Sequence, residues 1–488
     1  MTETEATDNI LAGDVKRPKG TRDFMPQDML LRRRVEAVVR GTFESFGFAE
    51  IQTPTFETLA LFQVRSGEKF REDIFRFVNP TKDSGEEATV EFCLRPELTA
   101  PTCRFFVSGD LGATTKPMKA YYMGSCFRYD KPAPGRYREF FQAGVELFGS
   151  SSVKADAEVV TVAATVLKRL GIPSFRIQLN DLAVLRTFLG ELGLGDEGQA
   201  KVLSLVDNAG SDLAKCRLGA LGPEVTETDI IREYEVGLRV WLPNEVIPLM
   251  MDLLELRGGV EVVGKAKDLF KDYPLTLAAL EQSGANTIFT YLEASGVTDV
   301  VLDFSIARGL DYYTGLVFEV DVDELGGQKQ VCGGGRYDRL VAEYGGHDTP
   351  ATGFAFGLDR LVQCVELFQT STMPSELDQA RSDVLVKLLT DDVALEAQLT
   401  LGLREAGLRV EDDLMDRKMG KAFAAASKMG IPFVVVLGKR EVSQGQVSVK
   451  NMVTGTQELV PLDADRLGQY LLKGLVDMRM GTSKTPAT

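Results

Sequence analysis

Apolar positions recur at helical spacing through "LLRRRVEAVVRGTFESFGF" (30–48), which predicts an amphipathic helix closed by Gly47. The following "AEIQTPTFET" is extended, because Pro54 cannot sit inside a helix. "TVEFCLRPELTAPTCRFFVSG" (89–109) reads as a strand, a tight turn at Pro96 and a helix beginning near Thr99. Two aromatic-rich stretches, "MKAYYMGSCFRYD" and "REFFQAGVELFG", predict strands joined by the long hairpin "KPAPGRY". Helices laid on an antiparallel sheet are the resulting picture, an α+β fold.

Between 183 and 298 the texture becomes Leu/Ala/Glu-rich and helical, as in "LAVLRTFLGELGL" and "VIPLMMDLLELRGGVEVVGKAKDLF". Strand signatures resume in "VVLDFSIARGLDYYTGLVFEVDV" and "QKQVCGGGRYDRLV", so the helical stretch reads as an insertion. "GFAFGLDRL" is expected to be a helix packed on the sheet. From 383, "DVLVKLL", "LRVEDDL", "IPFVVVLG" and "QVSVKNM" alternate with helical segments, which predicts a small C-terminal α/β domain. The expected organisation is a polar, disordered tail at 1–15, a first sheet-and-helix part at 16–182 and the helical insertion at 183–298. A second part of the same sheet-and-helix domain at 299–372, a linker at 373–382 and the C-terminal domain at 383–488 complete it.

Composition narrows the chemistry. A chain of 488 residues is too long for one core. No apolar run reaches the roughly 18 residues that span a bilayer, and the acidic opening "MTETEATDNI" has no secretory core, so the cytoplasm is the expected compartment. Six scattered cysteines, none at C-x-x-C spacing, read as reduced thiols and argue against zinc. His347 is the only histidine, which excludes a mechanism needing a histidine base and a histidine metal ligand together. It sits in a Gly/Pro-rich loop and is expected to have no chemical role.

Against a net charge of −16, "FRYDKPAPGRYREFFQ" (127–142) gathers Arg128, Lys131, Arg136 and Arg138 around only Asp130 and Glu139. A solvated basic hairpin is one reading; a site for an anion attached to a flat ring, as in a nucleotide, is the other. No G-x-x-x-x-G-K-[ST] loop occurs, and "CGGGRYD" lacks dinucleotide-loop spacing, so arginine side chains must hold any phosphate. Arg128, Arg308 and Arg360 lie beside glycines that admit a ligand closely. Glu97 and Thr99 can meet an ammonium group, and Gln142 and Glu146 share one strand face. Were "ARGLDYYTG" a strand, Tyr312 and Tyr313 would face opposite sides, so at most one ring would enter the site. Arginines at one end, with carboxylates, an amide and tyrosines at the other, suit ATP beside an amino acid.

At these residues the chain resembles the histidyl-tRNA synthetases of class II over nearly its whole length. "PKGTRDFMP" resembles the family's entry segment, and "IQTPTFE" its motif 1, which lies at a dimer interface. "LRPELT" and "FRYDKPAPGRYREFFQAGVELFG" are similar to the histidine-binding turn and motif 2. "RGLDYYTG" and "GGGRYD" resemble the signatures peculiar to the histidine enzyme, and "GFAFGLDRL" resembles motif 3. "GKREVSQGQVSVKNMVTGTQE" resembles part of the anticodon-binding domain.

The resemblance implies a class II antiparallel-sheet catalytic domain with a helical insertion, and ligation of L-histidine to tRNA(His) through a histidyl-adenylate. Arg128 would bind the α-phosphate and the carboxylate, Arg136 the phosphates, Arg360 the γ-phosphate end, and Phe140 would stack on adenine. Arg308 would stabilise charge developing on the α-phosphate. Glu97, Thr99 and Gln142 would read the amino end, with Leu98 in the same turn. Glu146 and Tyr313 would hydrogen-bond the imidazole, while Tyr312 and Tyr337 shape that pocket. Mg²⁺ would accompany ATP without dedicated protein ligands, and the chain would be a homodimer with no membrane association. In the last domain, Arg417, Lys418 and Lys421 are candidates for tRNA contact, or an ordinary solvated helix face.

Three positions depart from the family's pattern: Asp130 and Asp359 stand where Glu is commoner, and Leu98 where Gly is frequent. Altered affinity rather than lost activity is the expected consequence. Two rivals stay open at this point. A histidine-sensing regulatory paralogue would tend to lose the arginines and the last domain, and a ligase acting on another acceptor would not need that domain.

Overall fold

A computed structural model describes residues 16–63, 74–78, 91–109, 115–131, 135–217, 224–307, 312–375, 380 and 382–481. The expected tail at 1–15 and Arg308 lie outside them. The chain divides into two compact units, Met1–Asp23 with Arg32–Thr372, and Phe24–Leu31 with Met373–Thr488.

The strands of the first unit are β1 (Ala49–Glu50), β2 (Phe56–Thr58), β3 (Arg76–Val78), β4 (Glu91–Leu94), β5 (Met118–Phe127) and β6 (Glu139–Phe148). They continue as β7 (Arg176–Asp181), β8 (Arg257–Gly258), β9 (Val300–Asp303), β10 (Leu316–Asp321), β11 (Gln330–Arg336) and β12 (Ala351–Gly357). Nine of them form one sheet in the order β1-β5-β6-β12-β11-β10-β7-β9-β8. Only the β1–β5 and β7–β9 pairings are parallel, while β5 and β6 pair antiparallel along their whole ten-residue lengths. β2, β4 and β3 make a separate three-stranded sheet.

The helix Val153–Arg169 packs on the large sheet with eleven buried residues, and Ser152 caps it by accepting the Lys154 N–H. Its Asp156 faces Arg336 at the end of β11. Arg336 Nε and Nη2 both donate to Asp156 Oδ2 (3.0 and 2.9 Å), and Nη1 donates to Asp338 Oδ1 and the Ser150 carbonyl, both at 3.0 Å. Helix and sheet are thus joined by a charged pair, each of whose members is under 10% exposed.

Patterning predicted most of this, and two segments differ. Of residues 353–361, expected as helix, 353–357 belong instead to the strand β12. Its residues are almost all buried, so no polar face marks a helical period, and the helix starts only at Leu358. The apolar run at 246–270 is not one helix. It breaks into Ile247–Glu255 and Val262–Leu269, because Arg257 and Gly258 leave the helix to pair with β9.

In the second unit, β13 (Val384–Leu388), β14 (Val410–Asp412), β15 (Phe433–Leu437), β16 (Gln446–Asn451) and β17 (Gln457–Pro461) form a sheet ordered β14-β13-β15-β16-β17. Alternate residues feed two cores. Val384, Val386 and Val435 meet Leu399, Leu403, Leu467 and Leu471, whereas Leu385, Val434 and Val436 meet Ala422 and Ala426. Helices therefore cover both faces, as the α/β pattern predicts.

Arg336→Met should destabilise the first unit by about 3–5 kcal/mol, because it leaves Asp156 buried without its counter-ion. A urea midpoint indistinguishable from wild type would contradict that role.

Candidate active site

The centre of the large sheet carries very little side-chain bulk. Gly335 on β11 faces Gly353 on β12, and Gly353 faces Glu146 on β6. A methyl at Gly353 would overlap Glu146 Oε2, and one on Gly144 would lie 2.6 Å from the Tyr122 hydroxyl. Glycine at these positions is a steric requirement: it makes room for an ionisable side chain inside a sheet.

Glu146 is fully buried. Its Oε1 accepts from the Tyr122 hydroxyl (3.0 Å) and its Oε2 from the Tyr337 hydroxyl. Burial pushes its carboxyl up to about 8, against the pull of hydrogen bonds from Tyr337, Thr99 and Tyr122. At neutral pH the carboxyl therefore keeps its proton. Burial also raises the phenols of Tyr122 and Tyr337 well above their usual range, so both remain donors.

Glu97 is 5% exposed and sits at the turn before the helix Thr99–Val107. Its carboxylate accepts the N–H groups of Thr99 (2.6 Å) and Ala100 (2.9 Å), a fixed anchor at the positive end of the helix. Burial raises its carboxyl too, while Arg128 opposes the shift. Gln142 accepts from the Cys126 thiol at Oε1 (3.2 Å), which fixes the orientation of its amide.

These groups line one cavity of about 800 Å³ with Thr99, Arg128, Arg136, Phe140, Tyr312, Tyr313, Tyr337 and Arg360. Its two ends differ in chemistry. At one, Arg128 Nε donates to the Pro96 carbonyl (3.0 Å) and its guanidinium lies 5.1 Å from the Phe140 ring. Arg136 forks onto Asp130 (2.7 and 2.9 Å), and Arg360 Nη2 donates to the Gly135 carbonyl (3.2 Å). Burial lowers the Arg360 guanidinium, and Arg136 adds to the effect, the electrostatic mark of a place suited to an anion. At the other end stand the buried carboxyls and the tyrosines.

Eleven of the site residues expected from sequence come together here, all named above. Leu98 does not line the cavity: it is 2% exposed and packs against Tyr122 and Cys126 beneath it. The expectation that at most one of Tyr312 and Tyr313 enters the site fails. They precede β10 instead of lying in a strand, their ring centroids are 4.9 Å apart, and both line the cavity. In the second unit Lys418 and Lys421 are exposed, whereas Arg417 Nη1 is paired with Asp413 Oδ1 at 2.6 Å.

Sequence reasoning missed Tyr122. The period-two alternation of β5 carries its signal, since it sets Tyr122 on the opposite face from Tyr121, whose hydroxyl donates to Glu44 (3.0 Å). Asp359 was noted only as a departure, yet it lines the cavity next to Arg360.

A family model described as histidyl-tRNA synthetase matches residues 20–361, and one described as an anticodon binding domain matches residues 383–470. A histidine–tRNA ligase of Methanococcus maripaludis (strain C6) is 37% identical over 449 residues, covering 92% of this chain and 98% of the relative. That of Methanocaldococcus jannaschii is 36% identical over 451 residues, with the same coverage. A crystal structure of histidyl-tRNA synthetase from Nostoc sp. PCC 7120 superposes with a TM-score of 0.71 at 26% identity, covering 94% of this chain and 99% of that one.

Tyr337→Phe removes a hydrogen bond that favours the Glu146 carboxylate, so the titration of Glu146 should move upward from about 8. Carboxyl-carbon NMR over a pH series reads this directly; a downward shift would contradict the assigned contact.

Proposed function

The chain belongs to the histidyl-tRNA synthetase family, and we propose that its first unit makes histidyl-adenylate from L-histidine and ATP, then passes the histidyl group to tRNA(His). The observation that carries this reading is one cavity with three arginines at one end and the buried, tyrosine-held Glu146 at the other.

A carboxylate oxygen of histidine attacks the α-phosphorus of ATP, the bond to the bridging oxygen breaks, and pyrophosphate leaves. A ribose hydroxyl of the tRNA terminus then attacks the acyl carbon, and AMP leaves. The first step needs no protein base, because the nucleophile is already an anion; positioning and charge neutralisation carry the rate. Arg128 holds the substrate carboxylate against the α-phosphate, Arg136 and Arg360 take the outer phosphates, and Phe140 stacks on adenine. Arg308, outside the described residues, is assigned the charge developing at the α-phosphate. Mg²⁺ bound with ATP supplies further neutralisation. Among the described residues no group of three or more His, Cys, Asp or Glu side chains could hold a metal ion.

Glu97, Thr99 and Gln142 meet the ammonium group. Glu146 and Tyr313 read the imidazole, with Tyr312 and Tyr337 walling the pocket. An apolar competitor would leave these buried groups unpaired, which supports discrimination of about 10⁴ or more. Neutral imidazole titrates near 6.5 and Glu146 near 8. Substrate therefore meets a protonated carboxyl at pH 7, and the two share one proton once bound. Binding then needs no net proton exchange between those values; above about 8 affinity falls as pH rises, and below about 6.5 it falls as pH drops.

The match of 383–470 to an anticodon-binding family supports tRNA as the acceptor. It also favours this reading over a histidine-sensing paralogue. Within the same proposal, residues 183–298 are an insertion, Lys418 and Lys421 are tRNA contacts, and the chain is a cytoplasmic homodimer. Dimerisation rests on the likeness of residues 51–57 to motif 1. Among the described residues no helix is long and apolar enough to cross a membrane.

Pyrophosphate exchange surveyed over twenty amino acids should proceed with histidine alone, and tRNA(His) should then be charged; exchange with another amino acid, or none, would refute the reading. Arg308→Ala should slow adenylate formation about 10²–10³-fold with histidine still bound, and near-normal turnover would remove Arg308 from the mechanism.

A further inference from the structure

The basic hairpin is fastened by residues to which the reaction assigns no part. Asp359, in the first turn of the helix Leu358–Phe368, makes three contacts. Its Oδ1 accepts from Arg22 Nη2 (2.7 Å) and Arg32 Nη1 (3.0 Å), and its Oδ2 accepts from the Phe141 N–H (3.1 Å). Arg22 also lies 3.7 Å over the Tyr137 ring, and Arg32 lies 4.5 Å over the Phe141 ring while bonding Glu36 (3.1 Å). A further tie is made by backbone: the Arg138 N–H donates to the Gly20 carbonyl (2.8 Å).

The pinned positions are therefore 137, 138 and 141. Tyr137 itself lines the cavity, and 138 and 141 lie beside Arg136, Phe140 and Gln142, which also line it. Fixing 137, 138 and 141 restricts the conformational freedom of the residues between and beside them. Asp359 also precedes Arg360 in one helical turn, so a single carboxylate couples the hairpin to the arginine at the cavity's phosphate end. Its charge offsets two guanidinium groups that would otherwise repel Arg360 and Arg136.

We propose that Arg22, Arg32 and Asp359 are positioning residues for ATP, and that the entry segment around Gly20–Arg22 is a working part of the nucleotide site. The inference rests on the reading above, in which Arg136, Phe140 and Arg360 meet ATP. It adds that residues more than a hundred positions away from Arg136 and Phe140 in sequence set their geometry.

The test compares wild type with Arg22→Met, Arg22→Lys and Asp359→Asn. KM for ATP and KM for histidine are measured separately in pyrophosphate exchange, alongside equilibrium binding of ATP–Mg²⁺ and thermal melting. Arg22→Met and Asp359→Asn should each weaken ATP about ten- to a hundredfold, with KM for histidine within about twofold of wild type. Arg22→Lys should recover part of the loss, since it keeps the charge on Asp359 but not the flat contact with Tyr137. Unchanged ATP binding in both Arg22→Met and Asp359→Asn would overturn the proposal. So would an equal rise in both KM values with a lowered melting temperature, the signature of a merely structural role. If the wild type exchanges with no amino acid, the functional reading fails instead, and the ATP-binding series still decides this one.

Discussion

A carboxyl group buried in the middle of a β-sheet is the constraint to which the rest of the site is fitted. Glu146 has no exposure to water, and burying an acid without partners is costly. The fold meets that cost in three ways. Glycine at 353 clears the volume it needs, and glycine at 144 leaves room for its partner, the Tyr122 hydroxyl. The hydroxyls of Tyr122 and Tyr337 donate to its two oxygens. Its proton is retained at neutral pH, so no bare charge is left inside the sheet. In the proposed reaction, a substrate imidazole taking up this proton would turn a tolerated acid into a specific ion pair.

The same logic of local compensation explains how a chain of net charge −16 presents a cluster of arginines in its pocket. The arginines of the hairpin are embedded in acids and aromatics placed to hold them: Arg136 on Asp130, Arg128 against Phe140, Arg138 over Tyr129 at 4.0 Å. Global charge discourages indiscriminate adhesion to polyanions, while the pocket keeps a fixed cationic end.

Much of the site was legible in the sequence, because its chemistry is carried by short motifs whose residue types have few other uses together. Glu146, Gln142 and the arginines belong to that class. What escaped depends on long-range geometry. Asp359 meets Phe141, 218 positions away, and Arg32, 327 positions away, and no local pattern encodes such meetings. Tyr122 was hidden among other aromatics of its strand. The orientation of Tyr312 and Tyr313 was misjudged because a strand period was applied to a turn. The boundaries of β12 were obscured by burial on both faces, which erases the alternation that marks a strand. In the inserted region, the two-residue β8 interrupts an apolar run whose helical period gives no warning of it.

The most direct measurement is isotope-edited infrared spectroscopy of the carboxyl region at pH 7, on the wild type and on Glu146→Gln. The account predicts a protonated-carboxyl band in the empty wild type, absent from the variant, that disappears when L-histidine saturates the site. A wild type with no such band, or one whose band persists with histidine bound, would contradict the claim that Glu146 holds a proton for its substrate.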